Sequence, residues 1–321
     1  MKALRIHEFG GVDVLSWEEV DQPKPSPHQV LIKVASAGVN YADVMRRQGG
    51  HSGGSLPTTL GIESAGGIAE GGEAGTWLTV GQRGMAMGPA GQAEYAVVHA
   101  GFVFPYPETL NPVHAVWLPV VLLSSYHTLK TRGQMQPGET VLIHAGASGV
   151  GSVAIQMAKS WGARVITTAS TDEKLELARS LGADITINYT RQDFEEEVLK
   201  ETEGEGAALV LESVGGEVLE KSIRCIAATG RLITYGNSSG QPASLPSDEI
   251  TPATRTVIGL SMSRSPVGSL DHKSAMAELM PMVVNGQINL VVDQILPMSE
   301  AGQAHEHVSQ RGTRGKVILT P

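Results

Sequence analysis

The chain has 321 residues, 41% of them hydrophobic, which is more than one ordinary core requires, so two domains are expected. Its formal net charge of -9 repels phosphate backbones and anionic membrane surfaces, so nucleic acid is excluded as the main partner while a local basic cleft remains allowed. The single cysteine, Cys225, excludes an internal disulfide and a cysteine-built structural zinc site, and fits a reducing cytoplasm.

The opening segment MKALRIHEFGG lacks the apolar core of a signal peptide and reads as a short strand that ends in a turn at Gly10 and Gly11. No apolar run approaches the roughly 20 residues that span a bilayer, and residues 113–123 are interrupted by His114 and Pro119, so no membrane partner is expected. Up to about Pro107, short β-rich segments such as residues 30–35 and 94–98 alternate with Gly- and Pro-rich stretches, predicting a barrel-like β domain. From Thr140 the texture changes to TVLIHA, GASGVG, SVAIQMAKSWG and RVITTA, which is strand, glycine turn, helix and strand. A helix at 172–181, a strand at 184–188, an acidic helix at 193–202 and apolar strands at 207–211 and 231–235 continue the alternation. Residues 219–228 read as a helix with Cys225 packed inside it. After Met262 come helices at 272–285 and 299–309 and a last strand, KVILT.

The segment His144-Ala145-Gly146-Ala147-Ser148-Gly149-Val150-Gly151 lies between a buried-type strand and a helix, the context in which a glycine turn binds a dinucleotide. Glycines allow close backbone approach, and the helix N-terminus attracts the pyrophosphate. Ser148 replaces the central glycine of GxGxxG, placing a small polar side chain beside the phosphates. Many α/β proteins carry such a turn without a nucleotide, but here strand and helix flank it directly. The next strand ends Thr167-Thr168-Ala169-Ser170, without the carboxylate that normally holds the ribose hydroxyls of NAD. Asp172 follows a turn later, where capping by Thr171 and the helix dipole account for it. Ser170 and Lys174 are placed instead to receive a 2′-phosphate, which predicts NADPH; a solvated lysine on a helix face is the alternative reading of Lys174.

Together with this loop, the motifs Gly38-Val39-Asn40-Tyr41-Ala42-Asp43, Leu60-Gly61-Ile62-Glu63, Ile187-Asn188-Tyr189 and Tyr235-Gly236-Asn237-Ser238-Ser239-Gly240 carry a resemblance. Nearly end to end, the chain resembles the zinc-independent, zeta-crystallin-like quinone oxidoreductases of the medium-chain dehydrogenase/reductase superfamily. The resemblance implies an α/β fold with a Rossmann doubly wound parallel sheet at 119–262, inserted in a GroES-like β-rich catalytic domain made of 1–118 and 263–321. It implies that Gly146 to Gly151 hold the pyrophosphate and that Tyr189 works with Ser170 and Lys174 near the adenosine phosphate. It further implies that Gly236, Asn237 and Ser238 cross the cofactor. Ser124 falls where relatives place a threonine near the nicotinamide. Zinc-dependent relatives have a cysteine and a histidine at the positions of Asn40 and Ile62; an amide oxygen and an alkyl group do not replace thiolate and imidazole on zinc.

Without a Lewis acid, the substrate must already accept hydride readily, as a quinone or activated enone does. Hydride from NADPH is therefore expected to reach such an acceptor, with Asn40 and Tyr41 lining the pocket and donating hydrogen bonds and the proton coming from Tyr41 or water; a partly buried packing role is the alternative reading of Tyr41. Asp43 is expected either to orient Arg46 or to serve as a helix-start carboxylate, and Glu63 to be a retained buried carboxylate. A tyrosine that several relatives have at the Met45 position is absent. Alternatives are an alkenal or enoyl-thioester reductase, an NADPH-binding protein with little catalysis, and a zinc-dependent alcohol dehydrogenase. Residues 256–262 read as the edge strand through which relatives form a dimer, so a homodimer is expected.

Overall fold

The runs TVLI, RVITTA and AALVLE are apolar on both faces, as strands covered on both sides must be, and each forms a buried parallel strand. The computed structural model describes residues 1–50, 55–72, 78–262 and 270–321. In it, Thr140–Ile143, Arg164–Ala169, Ile185–Asn188, Ala207–Glu212, Ile226–Thr234 and Thr256–Gly259 build a six-stranded sheet. Counted along this segment, their spatial order is 3-2-1-4-5-6 with every pair parallel, the doubly wound Rossmann arrangement. The strand order reverses between Thr140–Ile143 and Ala207–Glu212, where a fold of this kind binds its ligand. Leu142, Ile166, Val210 and Leu232 from the sheet pack with Phe194 and Val198 of the helix Phe194–Glu201 into the core of this unit.

A second sheet is centred on the long strand Gln29–Val39. Among the described residues it has seven strands, in the order Val292–Pro297, Lys316–Thr320, Gln29–Val39, Glu63–Gly71, Arg83–Met87 and Val103–Pro105, with Tyr95–His99 also paired to Gln29–Val39. The pairs are antiparallel except Val292–Pro297 with Lys316–Thr320. Both ends of the chain therefore contribute to one sheet, which is GroES-like. Ile32, Val34, Val39, Leu60, Ile68, Val317 and Leu319 form its core.

The chain divides into two compact units, one of residues 1–121, 272–285 and 290–321 and the other of residues 122–271 and 286–289. Residues 286–289 belong to the second because Gln156 and Asn289 exchange two hydrogen bonds, of 2.7 and 3.0 Å. The expected boundary at 262/263 adjoins residues 263–269, which lie outside the described residues. Cys225 is not inside a helix: Gly216–Arg224 ends at it, and the strand begins at Ile226, where pairing with Ala207 takes over the backbone hydrogen bonding. Its burial among packing residues agrees with the sequence reading. No described helix is long and apolar enough to cross a membrane.

Candidate functional site

The glycine loop leaves the strand Thr140–Ile143 and enters the helix Gly149–Ser160. Gly146 lies so close to the neighbouring strand that a Cβ would stand 2.1 Å from Thr167 Oγ1, and its N–H donates to Thr168 O at 3.0 Å. At Gly151 a Cβ would stand 2.2 Å from the backbone oxygen of Ala145. These two glycines allow the loop to fold tightly under the helix. Ser148 caps the helix, accepting from Gly151 N at 3.0 Å, so its side chain is already engaged by the backbone. The remaining first-turn N–H groups have no intrahelical acceptor, so the helix start presents donors and the positive end of the helix dipole, an arrangement that favours an anion.

Beneath the loop lies a buried His144. Its Nδ1 is 3.0 Å from Thr168 Oγ1 and its Nε2 is 2.8 Å from Ser222 Oγ. Ser222 gives its own proton to Val218 O, so Nε2–H is the donor to Ser222, and Nδ1 accepts from Thr168. Burial lowers the His144 pKa to about 4 and keeps the ring neutral. One imidazole thus ties the loop to a neighbouring strand and to the helix Gly216–Arg224.

The strand Arg164–Ala169 ends beside Ile185–Asn188, with Ala169 in register with Asn188. This register brings Ser170 and Tyr189 together at adjacent strand ends: Tyr189 N donates to Ala169 O at 3.2 Å and Thr190 Oγ1 to Ser170 O at 3.4 Å. Tyr189 is exposed, and Lys174 lies in the first turn of the helix Asp172–Ser180, which Thr171 caps as expected. Asp172 does more than begin that helix. Its carboxylate accepts from Asn188 Nδ2 at 3.2 Å and from Arg191 at 3.0 Å, and these bonds hold its pKa below the usual range.

After the fourth strand, the buried Glu212 carboxylate accepts from Val214 N and from Gly215 N, at 2.5 and 2.8 Å. Burial raises its pKa. The next loop docks on the same segment, with Ser238 N donating to Ser213 O at 3.0 Å and Ser239 N to Val214 O at 2.7 Å. Gly215 has φ +77°, and a Cβ there would meet Asn237 Oδ1 at 2.1 Å. Gly236, Asn237 and Ser238 are thus held in one loop pair above the sheet, with Asn237 Oδ1 also accepting from Ser239 Oγ at 3.0 Å. Ser124 is buried in the helix Leu123–Tyr126. Its neighbour Ser125 donates to Val150 O at 3.2 Å, fixing that helix to the start of Gly149–Ser160.

In the other unit, Asn40 precedes the helix Tyr41–Arg47. Asp43 is fully buried and accepts from Asn40 N at 2.9 Å and Gly61 N at 3.2 Å. The expectation that it orients Arg46 is not met, because the Arg46 guanidinium donates to Thr58 Oγ1 at 3.1 Å. Asp43 is a helix-start carboxylate that secures the Asn40 backbone, and burial pushes its pKa up to about 6. Asn40 Nδ2 donates to Glu63 Oε1 at 2.7 Å, and Asn40 Oδ1 accepts from Lys316 Nζ at 2.5 Å. Glu63 and Lys316 form an ion pair, with side chains 0% and 3% exposed. Burial raises the Glu63 pKa and Lys316 opposes it. Tyr41 is half-buried and packs against the core.

Residues 26–108 match the alcohol dehydrogenase GroES-like domain family and residues 149–284 the zinc-binding dehydrogenase family. The quinone oxidoreductase of Pseudomonas aeruginosa is 31% identical over 334 residues, covering 100% of this chain and 99% of that one. The chain belongs to the quinone oxidoreductase family of the medium-chain dehydrogenase/reductase superfamily. A 2-haloacrylate reductase from Burkholderia is 33% identical over 329 residues, covering 98% of each chain. The crystal structure of Escherichia coli quinone oxidoreductase complexed with NADPH matches with a TM-score of 0.93 at 27% identity, covering 100% of both chains.

For this member of the quinone oxidoreductase family, sequence reasoning missed Lys316, Arg191, the Asn188 contact to Asp172, the His144 network and Glu212. A lysine opening the last apolar strand was the available signal for Lys316, since lysine is rarely buried unless paired. Arg191 stood two residues beyond a tyrosine already singled out. Asn188 and His144 stand in motifs quoted above, but nothing local marks their partners or Glu212.

Proposed function

We propose that this chain is an NADPH-dependent, zinc-independent oxidoreductase that reduces a quinone or another activated conjugated carbonyl. The observation that carries the reading is Asn40, whose amide oxygen is taken by Lys316 and whose nitrogen is a hydrogen-bond donor. A group so arranged suits a carbonyl oxygen that gains negative charge, and with Ile62 beside Glu63 the donor set is poor for zinc.

The residues of the nucleotide unit fit NADPH. No carboxylate stands at Ser170, Asp172 is neutralised by Arg191, and Lys174, in the first turn of the helix Asp172–Ser180, is the cation that would receive a 2′-phosphate beside Ser170. The first turn of Gly149–Ser160 receives the pyrophosphate, and Gly236, Asn237, Ser238 and Ser124 border the nicotinamide half. Bound NADPH supplies a hydride from C4. Asn40 donates to the acceptor oxygen, Tyr41 lines the pocket, and Tyr41 or water delivers the proton that completes the reduction.

A second reading, reduction of a carbon–carbon double bond conjugated to a carboxyl group, is favoured by the 2-haloacrylate reductase relative. NADPH consumption by chelator-treated protein with para-benzoquinone, an alkenal, an acrylate and an enoyl thioester separates the two. Turnover lost on chelation and restored by zinc refutes the metal-free reading, and NADPH binding without turnover on any acceptor refutes the enzymatic one. We further propose a cytoplasmic homodimer paired through Thr256–Gly259, which among the described residues is the last strand of the six-stranded sheet. A monomer in light scattering overturns it.

A further inference from the structure

Lys316 opens the strand Lys316–Thr320, which runs antiparallel to Gln29–Val39 with Ile318 opposite Gly38. A buried ammonium is costly unless paired and hydrogen-bonded, and Lys316 has both the Glu63 carboxylate and the Asn40 amide oxygen. Space for the pair comes from Gly38 of the Gly-Val-Asn-Tyr motif: a Cβ there would stand 2.1 Å from Glu63 Oε1 and 2.6 Å from Lys316 Cε. Asp43, the other carboxylate nearby, spends its oxygens on Asn40 N and Gly61 N and leaves the ammonium to Glu63 and Asn40.

The two flips of the Asn40 amide are consequently unequal. An ammonium only donates, so it demands Oδ1; an ionised carboxylate only accepts, so it demands Nδ2. Reversal would set amide hydrogens against the ammonium and the amide oxygen against the carboxylate, two repulsive contacts where there are now two charge-assisted bonds. Nδ2 has a second hydrogen that the bond to Glu63 does not use, and Asn40, unlike its two partners, is only half-buried.

We propose that Lys316, acting with Glu63, is a positioning residue that locks the Asn40 amide with its second N–H toward the acceptor, so that the substrate oxygen always meets a donor and never a carbonyl. The proposal rests on the reading above that Asn40 contacts the acceptor oxygen. Without the lock the amide would sample both orientations, one of which repels the developing oxyanion.

The test uses the full-length protein, NADPH and para-benzoquinone. Lys316→Met alone strands a buried carboxylate, so the informative variant is Lys316→Met/Glu63→Gln, neutral on both sides and close in volume. Loss of an oriented oxyanion donor lowers kcat by about tenfold or more. The Kd for NADPH should stay within twofold, because its groups lie in the other unit. In an Asn40→Ala background the same double substitution should change kcat less than twofold, since its effect passes through the amide. A wild-type kcat in Lys316→Met/Glu63→Gln, or an undiminished loss in the Asn40→Ala background, overturns the positioning role while leaving the reaction intact. An unchanged kcat in Asn40→Ala alone instead removes Asn40 from the pocket, and the positioning role with it.

Discussion

Gly151→Ala probes the phosphate loop with a single methyl group. The added Cβ would lie 2.2 Å from Ala145 O, 2.9 Å from Ala145 C and 2.9 Å from Gly146 Cα, all backbone atoms. Non-bonded heavy atoms settle at roughly 3.5 Å, so the loop and the helix start must separate by about 1 Å. No flexible side chain can absorb the shift, and Gly146 is itself tied to Thr168 O. A displacement of that size takes one or two backbone N–H groups out of range of a pyrophosphate oxygen. Hydrogen bonds to a charged group are worth about 1.5–3 kcal/mol each, so a net loss of about 2–4 kcal/mol is expected. That corresponds to a rise of roughly 30- to 1000-fold in the Kd for NADPH. Nucleotide fluorescence titration measures it, with thermal unfolding of the free protein to verify the fold. Gly302→Ala is the control, because its Cβ meets nothing within 4 Å and it lies in the other unit. A folded Gly151→Ala protein that binds NADPH within threefold of wild type would show that the glycine does not serve phosphate binding.

Arg191→Ala leaves Asp172 without its cation, and the Kd for NADPH should rise about tenfold with little change for NADH; equal effects on the two would sink the placement of the 2′-phosphate. Asp43 contributes stability that is fully present below its unfolded pKa of 3.8 and is lost as pH rises through about 6. That shift corresponds to about 3 kcal/mol, so Asp43→Asn should flatten the fall in urea midpoint between acidic and neutral pH. Identical slopes in wild type and variant would count against it. Cys225, buried with its thiol pushed up to about 12, should resist alkylation until the chain unfolds; stoichiometric labelling of the native protein is the contrary result. Gly302→Ala should also stabilise the helix Ala301–Ser309 by about 0.5 kcal/mol, read as a raised melting temperature.

The sequence by itself determined what depends on neighbours along the chain. The strand, glycine turn and helix around Gly146 to Gly151, the Thr171 cap and the missing carboxylate at Ser170 are all set within a few residues. Period, capping chemistry and glycine placement are short-range signals, so these elements were legible. The doubly wound order and the sharing of one sheet by both chain ends came through resemblance, not through any local pattern. Only the tertiary structure decided the partners of buried polar groups. Lys316 reaches Asn40 across 276 residues, His144 reaches Ser222 across 78, and Arg191 reaches Asp172 across 19. A buried charge or imidazole must find a partner, but the residue alone does not say which; strand register and helix packing select it. Asp43 shows the same rule from the other side: its sequence position allowed either Arg46 or the helix start. The fold turned the carboxylate inward onto backbone N–H groups because burying it there satisfies both the helix and the loop at Gly61.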